Sequence, residues 1–379
     1  MSEKKGLYGI WLVVLGIAIL IGLYTALKIF IQGHGLFNTN DVIIWSLPLG
    51  VYIFLALTSS GLTLLAGVPL VLKAKKYEPF AKRLVFLAIA TLLGAFVAIG
   101  LELGSVDHMF WIFFSPNFSS PIWWMSFIYS VELVVLIVKF WRMHKGDWHS
   151  GFSDALGIMS FLLALIAPLM IGSIFGITES RVTYFGSMMS VYSLVLGLLS
   201  GTAMFLLYSM IFRRVTGDGA VESQTPLYNE FTVIFAYVAG IAVVLSLVKF
   251  AIESASTVPE FLVYHKFEHA FGAWRGFHFE VLLGLFLPFV LLLIPSVRKS
   301  MGGKTVTSAL ILVGTLMMHM EILLAGQSHP VGPKAEQYPA FISYFPSIWE
   351  WLVFVFALAV MLLLYTLGER YLKLEEIPQ

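Results

Sequence analysis

Residues 44–72 read IWSLPLGVYIFLALTSSGLTLLAGVPLVL, a run of 29 positions without one Asp, Glu, Lys, Arg or His. As an α-helix this run is about 43 Å long. The hydrocarbon core of a bilayer is about 30 Å thick and takes roughly 20 apolar residues to cross. Lys73, Lys75 and Lys76 follow at once. A long uncharged helix that ends on a cluster of ammonium groups is a membrane span with its charges left in water. The rest of the chain repeats this pattern.

Ten such spans are expected, at about 7–30, 44–72, 84–103, 122–141, 155–177, 182–212, 231–252, 276–295, 305–325 and 347–371. The composition agrees: 59% of residues are hydrophobic and 12% charged, with a mean hydropathy of +0.89, whereas soluble domains carry about 25% charged residues. The predicted fold class is an all-α polytopic membrane protein in the cell (cytoplasmic) membrane. A net charge of +1 gives no electrostatic basis for nucleic-acid binding. The absence of cysteine excludes disulfides, thiolate zinc sites and cysteine-held iron–sulfur clusters in this subunit. The run from Leu7 to Phe30 is too long for a signal-peptide core and reads as the first span.

Lys and Arg set the expected orientation. With ten spans, 17 of the 23 fall on the side of the N-terminus, and four (Arg181, Lys266, Arg275 and Lys334) fall on the other. Both termini are therefore expected in the cytoplasm. Seven histidines (His34, His108, His265, His269, His278, His319 and His329) then lie towards the outer side and only His144 and His149 towards the inner one. Trp45, Trp111, Trp123, Trp124, Trp274, Trp349 and Trp351 gather at the outer interface, as an aromatic belt would.

A short signature occurs twice. Tyr52 is followed after seven residues by Ser60-Gly61, and Tyr192 after seven residues by Ser200-Gly201. Both copies run in the same direction, which suggests two parallel four-helix units. The expected organisation is a flanking helix and loop (1–43), a first bundle (44–180), a second bundle (181–330) and a flanking helix with tail (331–379). Small residues also serve helix packing, so the repeat has a purely structural reading too.

Ionisable groups in hydrocarbon are costly and mark sites of function. Glu132 lies near the middle of the fourth span, three residues after Tyr129 and on the same helix face. Glu102 ends the third span, with Asp107 and His108 in the loop beyond. Together these groups suit a pocket that hydrogen-bonds a quinone ring and exchanges its protons. Glu102 and Asp107 read equally as helix-end and loop acids in water. In the second half, Glu253, His278, Glu280, His319 and Glu321 form a candidate proton path, or else a static polar network. Lys249 and Glu253, four residues apart, can pair along one helix. His265, Glu268 and His269 read as a wet loop rather than a zinc site, since a third ligand is missing. His278 and His319 are the one pair that haem ligation would draw on. No metal or haem is expected in this subunit.

The chain resembles the membrane subunits of the polysulfide reductase NrfD family. The resemblance rests on Trp45, Pro48, Gly50 and Tyr52 leading to Ser59-Ser60-Gly61; on Leu101-Glu102-Leu103-Gly104 followed by Pro116-Asn117 and Ser120-Pro121; and on Phe279-Glu280, Gly326-Gln327 and Trp349-Glu350. Glu102 stands where the family pattern has aspartate, and Ser105-Val106 replaces its Arg-Pro. The later motifs are similar to the longer, ten-helix branch with HybB-, DsrP- and alternative complex III-type subunits. The resemblance implies a membrane anchor that exchanges electrons between a quinone (menaquinone or ubiquinone) and an iron–sulfur protein, with a molybdopterin, hydrogenase or multihaem cytochrome subunit beyond. It places the quinone near Glu102, Asp107, His108, Tyr129 and Glu132, with Trp124 as a stacking surface. The competing class is a secondary transporter or ion channel, which would want a midplane site open to both sides; here only Glu132 is central.

Overall fold

The computed structural model describes residues 2–104, 110–179, 181, 186–216, 225–255, 279–328, 330–339 and 342–376. Among them there is no strand, and nine helices are long and apolar enough to cross a bilayer. These are α1 (Ser2–Gln32), α2 (Leu47–Leu70), α3 (Glu78–Glu102), α4 (Pro121–His144), α5 (Gly151–Gly176), α6 (Met188–Thr216), α7 (Thr225–Ala255), α9 (Met301–Ser328) and α10 (Ile348–Tyr371). Between α7 and α9 lies a composite element, α8, made of Phe279–Val281, a π-helical turn Leu282–Phe286 and Leu287–Leu293. The chain is an all-α polytopic membrane protein.

α8 occupies the place of the expected span at 276–295, and its helix stops two residues short of the expected end. Ile294 is extended (ψ 115°) and Pro295 starts a short turn, Pro295–Lys299. A proline ring has no N–H to donate and pushes the preceding residue out of the helical region.

α2 is the centre of the molecule. All but two of its 24 residues are buried, which is why it shows no polar stripe: a helix that is apolar all round is enclosed all round. It packs against α3, α5, α6, α9 and α10. The contacts close two rings of four. α2, α3, α4 and α5 form one, and α6, α7, α8 and α9 the other, joined chiefly where α2 meets α6. α1 lies outside both rings against α10, and α10 lies against α3.

The repeated signature sits at the junction. A Cβ on Gly61 would strike the Gly197 carbonyl and the Gly201 Cα, and a Cβ on Gly201 would strike the Gly61 backbone in return. Only a missing side chain lets two helix backbones approach this closely. The Thr58 hydroxyl donates to Ser200 Oγ across the same crossing (2.9 Å). Equivalent positions of the two copies therefore touch one another.

Polar contacts sort the chain into two levels. On the side of the N-terminus, Arg83 pairs with Glu369 (2.6 Å) and Glu375 (3.1 Å), Lys82 with Glu376 (2.5 Å), Lys76 with Glu230 (2.7 Å) and Lys73 with Asp154 (2.7 Å). On the opposite side, residues 38–47 meet Glu102, Gln327 and residues 344–350. These are the two groups that the alternation of ten spans predicts. One detail differs. The third span was expected to begin at 84, leaving Lys82 and Arg83 in a loop, yet both lie inside α3 and are buried, at 0% and 3% exposure. Charge alone argues for a loop; here Glu369 at the end of α10 and Glu375 and Glu376 in the C-terminal tail supply the partners that make burial possible.

Candidate functional site

The first half holds two separate polar stations on α2, about 21 Å apart along the helix between Ser46 and Ser60. The upper one is built around the start of α2. The first N–H groups of a helix have no partner within it, and its N-terminal end carries a partial positive charge. Both needs are met from distant parts of the chain. Glu102 is buried and accepts from Ser46 N (3.0 Å) and Ser46 Oγ (2.7 Å). The Tyr344 hydroxyl accepts from Leu47 N (2.9 Å) and donates to Glu350. Gln327, at the end of α9, accepts from Ile44 N (2.9 Å) and Trp45 N (2.8 Å) and donates to Trp45 O (3.2 Å) and Leu323 O (3.1 Å).

Glu350 is fully buried and belongs to a capping box with Ser347 at the start of α10. Its other oxygen accepts from Asn38 N (3.1 Å). Burial, and the hydrogen bond that it gives to Glu350, hold the Tyr344 phenol well above its usual titration range. It stays a donor at any physiological pH. Two carboxylates, a phenol and an amide thus converge on one helix terminus.

The lower station is Tyr129 with Glu132, both with no exposed surface. The Ser60 hydroxyl donates to the Tyr129 oxygen at 3.4 Å, and the Tyr52 ring stands edge-on to the Tyr129 ring, 6.4 Å between centroids. Neither Glu132 oxygen has a hydrogen-bond partner among the described residues. The Thr63 hydroxyl lies on the facing side of α2 but donates to Ser59 O (3.0 Å). A buried polar group without a partner costs free energy.

No described contact joins Glu102 to Tyr129 or Glu132. Trp124 is 38% exposed at the start of α4, donates from Nε1 to Phe118 O (2.9 Å), and packs with Trp123 and Phe127. It belongs to an interfacial aromatic cluster. Asp107 and His108 lie outside the described residues.

In the second half, His319 is buried, with Nδ1 2.6 Å from Thr315 O and its ring 6.3 Å from that of Phe54 on α2. A ring nitrogen so close to a carbonyl carries the proton, which leaves Nε2 as a bare acceptor; Nε2 has no partner among the described residues. Glu321 is two residues on and so points elsewhere. It lines a cavity of about 310 Å³ with Tyr192, Ser246 and Lys249. Glu280 is buried at the start of α8. His278, and the side chain of Glu253, lie outside the described residues, as do His265, Glu268 and His269.

Glu350, Tyr344 and Ser46 do not stand out for chemistry in the sequence. Glu350 has two signals, the capping-box pattern Ser347-x-x-Glu350 before an apolar run and its place in the Trp349-Glu350 stretch of the family resemblance. Nothing local marks Tyr344.

The family model described as "Polysulphide reductase, NrfD" matches residues 35–331. Among curated proteins, the chain is similar to the "Hdr-like menaquinol oxidoreductase integral membrane subunit" of Archaeoglobus fulgidus, 23% identical over 100% of this chain and 97% of the relative. It is also similar to a subunit of the selenate reductase of Mesobacillus selenatarsenatis, 20% identical over 96% of this chain and 93% of that protein.

Proposed function

We propose that this chain, which belongs to the polysulphide reductase NrfD family, is the quinone-interacting membrane subunit of a multisubunit respiratory oxidoreductase. One relative is by its name a menaquinol oxidoreductase subunit and another a subunit of a selenate reductase, which supports menaquinol and a separate redox partner. The observation that carries the reading is Glu132: a carboxyl group in mid-membrane whose two oxygens have no partner among the described residues.

A quinol ring needs a hydrogen-bonding group and a proton acceptor in an apolar setting. Tyr129 and Glu132 fit that need. Glu102 fits it less well, because both of its oxygens already accept from Ser46. When bound, a quinol supplies two electrons and two protons. Tyr129 orients the ring by its hydroxyl, which Ser60 fixes from behind, and Glu132 holds a proton at Oε1 or Oε2. α2 excludes water from this level, since Thr58, Ser59, Ser60 and Thr63 are all buried. The upper station of Glu102, Tyr344 and Glu350 sets the position of α2 and hence of Ser60.

In this reading the basic side, with both termini, faces the cytoplasm, and an iron–sulfur protein docks on the opposite face. The bare Nε2 of His319 and the buried Glu280 supply material for proton movement through the second ring of helices, with Glu253, His278 and Glu321 as its further members. The test is Glu132→Gln, which keeps shape and removes titration. Quinol-linked turnover in membranes should fall at least tenfold while the complex still assembles. Unchanged turnover would refute the assignment.

A further inference from the structure

A groove between α7 and α8 lies outside everything assigned above. Val233, Tyr237, Ile241 and Val244 of α7 and Phe289 and Leu293 of α8 line it, Arg298 closes one end, and its volume is about 560 Å³. It faces outward: Tyr237 is 72% exposed and Val244 59%. Surface this apolar, in a membrane helix, is covered by lipid. From Val233 to Val244 the groove follows α7 for about 17 Å, a shape for an extended chain rather than a compact ligand. Gly240 opens its floor, where the Phe289 ring is the nearest neighbour, 3.0 Å from where a Cβ would stand.

The charge at its end is concentrated in two adjacent residues. Arg298 and Lys299 sit on the turn Pro295–Lys299, and among the described residues neither has a carboxylate within ion-pair distance. Buried Lys304 nearby donates, among the described residues, to two neutral oxygens, Asn229 Oδ1 (2.7 Å) and Lys299 O (3.1 Å). By contrast, Lys73, Lys76, Lys82, Arg83 and Arg142 on the same side are each paired with an acid. Around the mouth of the groove no such pair is found among the described residues.

We propose that this groove is a binding site for an anionic phospholipid. An acyl chain lies along α7 and α8, and the phosphodiester meets Arg298 and Lys299. A guanidinium matches the fork of phosphate oxygens, and basic recesses between membrane helices on a positively charged side take such headgroups. A zwitterionic lipid brings its own cation to the same place and is held less well. Nothing in this assignment depends on the quinone reading.

The full chain, purified in detergent, is titrated with phosphatidylglycerol and with phosphatidylcholine and followed by native mass spectrometry. Wild type should retain phosphatidylglycerol preferentially. R298Q/K299Q should lower that retention roughly 25-fold, about fivefold for each charge removed, and leave phosphatidylcholine unchanged. V244W fills the trough away from the cations and should weaken both lipids; its circular dichroism should match wild type. Equal retention of the two lipids by wild type would overturn the proposal. So would undiminished phosphatidylglycerol binding by R298Q/K299Q, or full displacement of phosphatidylglycerol by inorganic phosphate with V244W without effect, which would mean an anion site and no lipid groove.

Discussion

Gly61→Ala is the sharpest perturbation of the helix crossing at the centre of the molecule. The new methyl group would stand inside the Gly197 carbonyl and 3.1 Å from the Gly201 Cα. Both obstacles are backbone and cannot rotate away, so α2 and α6 must move apart. Overpacking of this kind costs about 1–3 kcal/mol. Separation also stretches the Thr58–Ser200 hydrogen bond, now 2.9 Å, and such interhelical bonds contribute about 0.6 kcal/mol on average and at most about 1.7. The total is about 2–4 kcal/mol. Gly100→Ala supplies the reference, because a Cβ there meets nothing within 4 Å; it reports the gain of roughly 1 kcal/mol in helix propensity that any Gly→Ala change brings. The assay is unfolding of the full chain in mixed micelles with rising dodecyl sulfate, followed by far-ultraviolet circular dichroism. Gly61→Ala should be less stable than Gly100→Ala by about 2 kcal/mol or more. Gly201→Ala should behave alike, and the double variant should cost less than the sum, since helices already parted accept a second methyl group more easily. Equal stability of Gly61→Ala and Gly100→Ala, or strict additivity at the crossing, would refute the close approach.

Three further outcomes are expected. Tyr344→Phe leaves Leu47 N–H without its acceptor and one Glu350 oxygen without its donor, and should destabilise the full chain by about 2–4 kcal/mol in the same micelle assay; Glu350→Gln should also destabilise, because both carboxylate oxygens accept and the amide turns an NH2 donor towards one of those donors. Glu102→Gln should cost stability in that assay with little direct effect on quinol-linked turnover, whereas Glu132→Gln should do the reverse; identical profiles for the two would erase the distinction between the stations. The hydrogen bond from Lys82 holds the Glu376 carboxyl below its ordinary value of 4.5. Its stabilising pair is therefore intact above about pH 4.5 and is lost as pH falls through the lowered value; a spectroscopic label at the tail should gain mobility in acid, and Glu376→Gln should remove that transition.

Class, span count and alternation are written in the sequence because a bilayer imposes one requirement on every segment: about 20 apolar residues, with cations left at the ends. The 29 uncharged residues from Ile44 to Leu72 and the ammonium groups behind them meet that requirement locally. Glu132 stands out for the same reason, since a carboxyl group in the middle of a span is conspicuous whatever surrounds it. The tertiary structure alone decided what each polar group touches. It buried Lys82 and Arg83, which read as loop cations, because acids some 290 residues away in sequence cover them. It separated Glu102 from Glu132, because helix ends and helix middles lie at different depths. It brought Tyr344, Gln327 and Glu350 to the start of α2, because a helix terminus leaves hydrogen-bonding groups that only distant segments could satisfy. Hydrophobicity acts on each residue separately and can be read one span at a time; hydrogen bonds and ion pairs need two partners, and the second is chosen by packing.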